Sequence, residues 1–224
     1  MLLCFLKILY NSFMSKVYIS ENASPLLKDY LAGNNHIIVE IKSTDQVYES
    51  ISSHPDIFMC KINREIIQSE NDLGYSYPEN IKYNGVQVGK YFIHNTNFTA
   101  QRLMAAVKNA GLIPVHVNQG YTKCSIVVVD ENAIITSDKG IRNALLPLGI
   151  DVLLISVGSV KLKGLPYGFL GGASGRIENT IIFNGDLSEH PDYINISNFI
   201  FDRGLILQYF DEYPLEDIGS IIEA

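Results

Sequence analysis

Apolar and polar positions repeat along this chain with a coarse period. Three stretches show it best: "VGKYFIHNTNFTAQRLMAAVKNAGLIPVHV" (Val88 to Val117), "CSIVVVDENAIITSDKGIRNALLPLGIDVLLIS" (Cys124 to Ser156) and the segment from Tyr167 to Phe210. Each opens with an apolar run of strand character, passes a polar turn, and continues at helical spacing. A glycine follows, then a second apolar run. Asn97 or Thr99 is placed to cap a helix whose Leu103, Ala106, Val107 and Ala110 share a face. Ser137 or Asp138 caps the next helix and Asp192 the third, while Gly111, Gly149 and Gly204 provide the stops. "IVVVD-ENA-IITSD" reads as a hairpin through Glu131-Asn132. The unbroken apolar runs after the helices predict parallel pairing. The unit is therefore strand, strand, helix, strand.

Two weaker copies precede these. "DIFMCKINREIIQSEN", Asp56 to Asn71, supplies paired strands followed by a degenerate remainder, "YPENIKYN". Lys16 to Ile41 supplies a strand, a helix capped near Ser24, Gly33 and a strand, with no leading strand pair in view. Five units thus begin near residues 16, 56, 84, 124 and 167. One such unit cannot bury both of its faces, but a closed ring of them can. The expectation is one α/β domain over residues 14–224. Residues 1–13, "MLLCFLKILYNSF", read as a disordered lead or an over-extended start before Met14, the rival being a short apolar helix packed on the domain.

Composition narrows the class. Of 224 residues, 47% are hydrophobic and 18% charged, ordinary for a globular protein, and the formal net charge is −7. That charge speaks against nucleic acid and against an anionic membrane surface as partners. Cys4, Cys60 and Cys124 are widely spaced with no CxxC pair, so neither a disulfide framework nor a zinc knuckle is indicated, and a cytoplasmic setting is the simplest reading. No metal or cofactor motif occurs: the glycines of "GGASGR" fit neither a phosphate loop nor a dinucleotide fingerprint.

Two short motifs carry candidate chemistry. "HPDIFM" (His54 to Met59) opens the second unit, and "GYTKC" (Gly120 to Cys124) opens the fourth. The five units and these motifs together resemble the pentein, or guanidine-group-modifying, superfamily, a β/α-propeller of about five repeats around a pseudo-five-fold axis, with some repeats here degenerate. "HPDIFM" is similar to that family's HxD motif, and "GYTKC" to the turn before its nucleophilic cysteine. The overall pattern is most similar to an uncharacterised, mainly clostridial domain family assigned to the same fold. The resemblance implies a small-molecule ligand in a central channel and a cysteine-dependent hydrolase or transferase acting on an amidine- or guanidine-like compound. It also implies that His54 and Cys124, two repeats apart, meet at one centre. Cys124 would attack the amidine carbon, His54 would move the proton, and Asp56 would orient His54 or bind substrate nitrogen.

The remaining residues leave alternatives open. The deiminases of that superfamily carry further acids to pair with a guanidinium, and the fifth unit instead has Ser174 and Arg176. Arg176 in the channel favours an anionic group, and Asn118 and Gln119 are candidate neutral hydrogen-bonders there. Asp130, Asp138 and Asp186 read equally as turn or cap residues. Cys124 is otherwise a small buried filler, and Cys60 a core residue. The tripeptide of His54 recurs at His190-Pro191-Asp192, where Asp192 reads as a helix cap and His190 as a solvated loop residue. A non-catalytic ligand-binding or structural protein of the same fold is the alternative function, and a homo-oligomer is open.

Overall fold

A computed structural model describes residues 15–224. The reading of residues 1–13 as a lead, and Cys4 with it, lies outside the described residues. The protein is a mixed α/β structure with its strands divided among five small sheets. No described helix is long and apolar enough to cross a membrane.

Three sheets follow the predicted unit. β5 (Val86–Val88) and β6 (Tyr91–His94) form a hairpin, α3 (Gln101–Asn109) crosses over, and β7 (Ile113–His116) returns parallel to β6. β8 (Val127–Asp130), β9 (Ala133–Thr136), α5 (Lys139–Leu145) and β10 (Asp151–Leu154) repeat the pattern. So do β11 (Ser174–Ile177), β12 (Thr180–Phe183), α6 (Tyr193–Phe201) and β13 (Ile206–Gln208). The Glu131-Asn132 turn joins β8 to β9 as expected. Leu103 and Val107 of α3 are fully buried, which is the face the helical spacing marked.

The local signals hold in part. Asp138 Oδ1 accepts from Ile141 N at 2.9 Å and caps α5. Ser24 Oγ accepts from Leu26 N and caps α1 (Pro25–Gly33). Gly111, Gly149 and Gly204 all take positive φ after their helices. The capping of α3 by Asn97 or Thr99 is not found: the N-cap position is Ala100, and Thr99 Oγ1 is engaged by His94 Nδ1 at 2.7 Å. Asp192 precedes α6 without capping it through its side chain, because its Oδ2 accepts from Ser156 N. His190 is buried rather than solvated, and its Nδ1 accepts from Asp192 N at 3.0 Å.

The second unit is reduced to α2 (Pro55–Phe58), β3 (Met59–Ile62) and β4 (Glu65–Gln68), with a single 3-10 turn at Glu79–Ile81 before the next unit. The first unit holds the main departure from expectation. β1 (Lys16–Ser20) and β2 (Ile37–Ile41) pair in parallel, and the missing leading strand is supplied by β14 (Ile222–Glu223), antiparallel to β1. Residues more than 200 positions apart thus complete one sheet, with Tyr18 opposite Ile222.

The core lies between sheets. Val127, Ala133 and Ile135 pack against Ala173, Ile181, Phe183 and α6. Val17, Ile19 and α1 pack against Ile177, Ile182 and Ile221. Each sheet thus uses a neighbour to cover a face that it cannot cover itself. The leading strands β3, β5, β8, β11 and β14 all contribute lining to a single open cavity of about 980 Å³.

Candidate functional site

Immediately before its leading strand, each unit delivers a small or polar residue to one shared cluster: Asp56, Asn84, Cys124, Gly171 and Ser220. Short helical turns set two of them. Pro55 starts α2 with its fixed φ, placing Asp56 on the buried side, and α4 (Thr122–Ser125) does the same for Cys124. The cluster is closely bonded. Cys124 Sγ donates to Asp56 Oδ2 at 3.0 Å, and Ser220 Oγ donates to the same oxygen at 2.6 Å. Asn84 Nδ2 donates to Cys124 Sγ at 3.3 Å and to the Asp56 carbonyl at 3.0 Å. Asn84 Oδ1 accepts from Lys123 N at 2.8 Å. Lys123 Nζ donates to Ser220 Oγ at 3.0 Å. Backbone bonds tie the same segments together: Gly172 N to Cys124 O, Ser220 N to Gly172 O, and Asp56 N to Gly219 O.

His54 and Asp217 flank this hub. His54 Nδ1 lies 3.8 Å from Asp217 Oδ1. Asp217 is fixed by Phe169 N (2.9 Å to Oδ2) and Gly219 N (3.0 Å to Oδ1). Close approach explains two glycines here: a methyl on Gly219 would fall on His54, and one on Gly172 on the Asp217 carboxylate. Gly219 also sits at φ +74°, and Ser220 holds φ +72°, which is uncommon for a residue with a side chain.

The electrostatics follow from enclosure. Asp56 is 0% exposed, Cys124 3% and His54 4%. Burial pushes the Cys124 thiol well above its usual range, and the carboxylates of Asp56 and Asp217 push it the same way. Burial also raises Asp56, with the Asp217 charge adding to the rise, and lifts Asp217 to about 6. It lowers His54 to about 4, against the pull of Asp56, and lowers Lys123. The thiol is therefore a neutral donor and the imidazole is uncharged near neutral pH. Three buried polar atoms in this region lack a hydrogen-bond partner: Asp56 Oδ1, His54 Nδ1 and Asn80 Nδ2. Asn80 Oδ1 accepts from Tyr121 Oη, which meets Tyr48 Oη at 3.0 Å.

The structure sorts the residues singled out from sequence. Cys124, Asp56 and His54 come together at the hub. Ser174 and Arg176 line the open cavity, but Ser174 is buried and donates to Gly171 O. The Arg176 guanidinium is held by the carbonyls of Val129 (2.6 Å) and Glu178 (2.8 Å). Asn118 and Gln119 do not line that cavity, which corrects the expectation for both. They follow β7, the strand of its sheet farthest from the cavity wall. The Asn118 carbonyl accepts from Asn95, and Gln119 bridges Asp138 and Tyr121 N. Cys60 is a core residue whose thiol donates to Gly85 O at 3.2 Å.

Sequence reasoning passed over Asn84, Lys123, Asp217 and Ser220. The signal for Asn84 was its register, just ahead of a leading strand as Asp56 and Cys124 are. Asp217 and Ser220 belong to the segment before β14, which carries no repeat signal. Among the described residues, no group of three or more His, Cys, Asp or Glu side chains is arranged to hold a metal ion.

A family of unknown function, DUF6873, matches residues 61–222, more than half of the chain, and the protein belongs to that family. The matched span contains Asn84, Cys124, Asp217 and Ser220, and begins five residues after Asp56. No curated protein matches the sequence.

Proposed function

We propose that the five sheets form a pentein-like β/α-propeller, and that its hub is a site for cysteine-dependent chemistry on a small cationic amidine- or guanidine-like compound. One observation carries this reading: Cys124 Sγ meets Asp56 Oδ2 at 3.0 Å, across 68 residues of sequence, with His54 and Asp217 beside them. The ring is supported by the leading strands of all five sheets lining one cavity and by β14 joining the first sheet.

Two buried carboxylates near the thiol, Asp56 and Asp217, favour a cationic guest. Such a guest would neutralise the charges that now disfavour the thiolate. In the loaded site the Cys124 proton passes to the His54 imidazole, and the thiolate forms a C–S bond to the amidine carbon. The C–N bond then breaks and the amine leaves with the proton returned by His54. Water, deprotonated by the same imidazole, cleaves the C–S bond. A reducing, cytoplasmic compartment suits the free Cys60 and Cys124.

A second reading, ligand binding without catalysis, is favoured by the enclosure of the thiol, which is only 3% exposed. Alkylation separates the two. 2-Chloroacetamidine, a cationic electrophile, should modify Cys124 at least about tenfold faster than Cys60, with acetamidine protecting. Equally slow modification of both cysteines decides for the non-catalytic reading.

A further inference from the structure

Lys123 and Cys124 are neighbours on α4, but they serve different faces of the hub. Lys123 lines the open cavity, and among the described residues Cys124 does not. The Lys123 backbone is pinned in place: its N–H bonds Asn84 Oδ1 at 2.8 Å and the Asn84 carbonyl at 3.0 Å. Its ammonium donates to Ser220 Oγ at 3.0 Å and, among the described residues, forms no ion pair. A hydroxyl has one proton to give, and Ser220 Oγ has two acceptors in reach: Asp56 Oδ2 at 2.6 Å and Gly171 O at 3.1 Å. Lys123 can only donate, so it occupies a lone pair of Oγ and leaves the proton for one of those two. An ammonium on that oxygen polarises the O–H bond, and a polarised donor gains most from the nearer, charged acceptor. Asp56 Oδ2 then carries two donors, Ser220 and Cys124, while Oδ1 is buried with none.

We infer that Lys123 is a positioning residue for the thiol site: acting through Ser220 from the cavity side, it holds Asp56 as an anion whose Oδ2 is occupied and whose Oδ1 is left for the cationic guest. The guest's part in this rests on the thiol reading above. The groups facing Asp56 come from three segments. His54 precedes it, Cys124 and Lys123 come from α4, and Asp217 and Ser220 from the stretch before β14. His54 is uncharged near neutral pH and Asp217 is an acid, so Lys123 is the cation among them that can balance the carboxylate. Burial lowers Lys123, and the charges of Asp56 and Asp217 oppose that fall. Relaying the charge through a hydroxyl, rather than by direct contact, keeps the lysine out of the place the guest would take.

The test follows the Asp56 side-chain carboxyl carbon by NMR through a pH titration of the full chain, the signal assigned by its loss in Asp56→Asn. Lys123→Met and Ser220→Gly should each move the ionisation of Asp56 to higher pH than in the wild type. The double variant should move it no further than the larger single shift. Glycine suits the φ of +72° at position 220, and Lys123→Gln replaces Lys123→Met if the apolar side chain is not accepted. A wild-type Asp56 that is protonated at neutral pH overturns the inference, as does an unmoved or lowered midpoint in either single variant. So do shifts that add in the double variant, since the lysine would then act without the serine. The titration involves no guest and no alkylation, so its failure leaves the thiol reading intact. Failure of that reading would appear as equally slow modification of both cysteines and would not alter the titration.

Discussion

The thiol of Cys124 gives its hydrogen to Asp56 Oδ2 at 3.0 Å, and in this arrangement the carboxylate restrains the cysteine. A negative charge beside the sulfur opposes thiolate formation, in the same direction as burial. Asp56→Asn should therefore lower the thiol pKa, with alkylation at pH 8 faster by about tenfold. Iodoacetamide labelling followed by peptide mass mapping reads this directly. An unchanged or slower rate would mean that access, not charge, governs the thiol.

His54 makes stability depend on pH. Its folded pKa is lowered to about 4 from an ordinary 6.5, so the unfolded chain binds the extra proton first. The stability that this group confers is complete above about 6.5 and lost as pH falls toward 4. The loss approaches about 3 kcal/mol at its limit. Asp217, raised to about 6 by burial, has the opposite sign: it keeps its proton in the folded state, and its contribution declines as pH rises from about 4 to 6. Urea titrations of the wild type and of His54→Asn at pH 7 and pH 4.5 should show the wild type losing stability relative to the variant at the lower pH.

Gly219 tolerates no side chain. Its φ is +74°, and a methyl there would overlap His54. Gly219→Ala should cost about 2–4 kcal/mol. Gly33→Ala, at a position with open space, should change stability by about 0.5 kcal/mol or less. Denaturant midpoints of the two variants provide the comparison.

Ile221 anchors the strand that completes the first sheet and is 2% exposed against Val17 and Ile19. Ile221→Ala should cost about 2–4 kcal/mol, as for other buried large-to-small changes. Ile194→Ala, on the exposed face of α6, should cost about 0.5 kcal/mol or less. Similar losses at the two positions would show that β14 is not integral to the fold.

Much of this architecture was legible in the chain. Hairpin, helix, glycine and parallel strand recur because each unit solves the same burial problem with the same local signals, and the residues from Val86 to Gln208 follow that grammar. The signals failed where long-range contacts override them. β14 is two residues long in "IGSIIEA", too short for any periodicity, and only its pairing with β1 makes it a strand. Asp217 and Ser220 were hidden with it. His190 looks like a polar loop residue, yet it is buried, its N–H bonded to Leu187 O and its Nδ1 accepting from Asp192 N. The approach of Cys124 to Asp56 could be proposed from the spacing of two motifs, whereas the hydrogen bonds of Asn84 and Ser220 to that pair come from residues no motif marks.

The reliance of β1 on β14 has a consequence for synthesis. As the chain leaves the ribosome, the first sheet is an early-made strand pair with one edge open, and it stays so until residues 222 and 223 emerge. Ser220 reaches Asp56 only then, since 164 residues separate them. The units in between can condense on one another beforehand, but the nascent protein carries the open edge of β1 throughout elongation, and Asp56 lacks its Ser220 partner. A chain cut before residue 220 would lack both β14 and the hydrogen bond of Ser220 to Asp56.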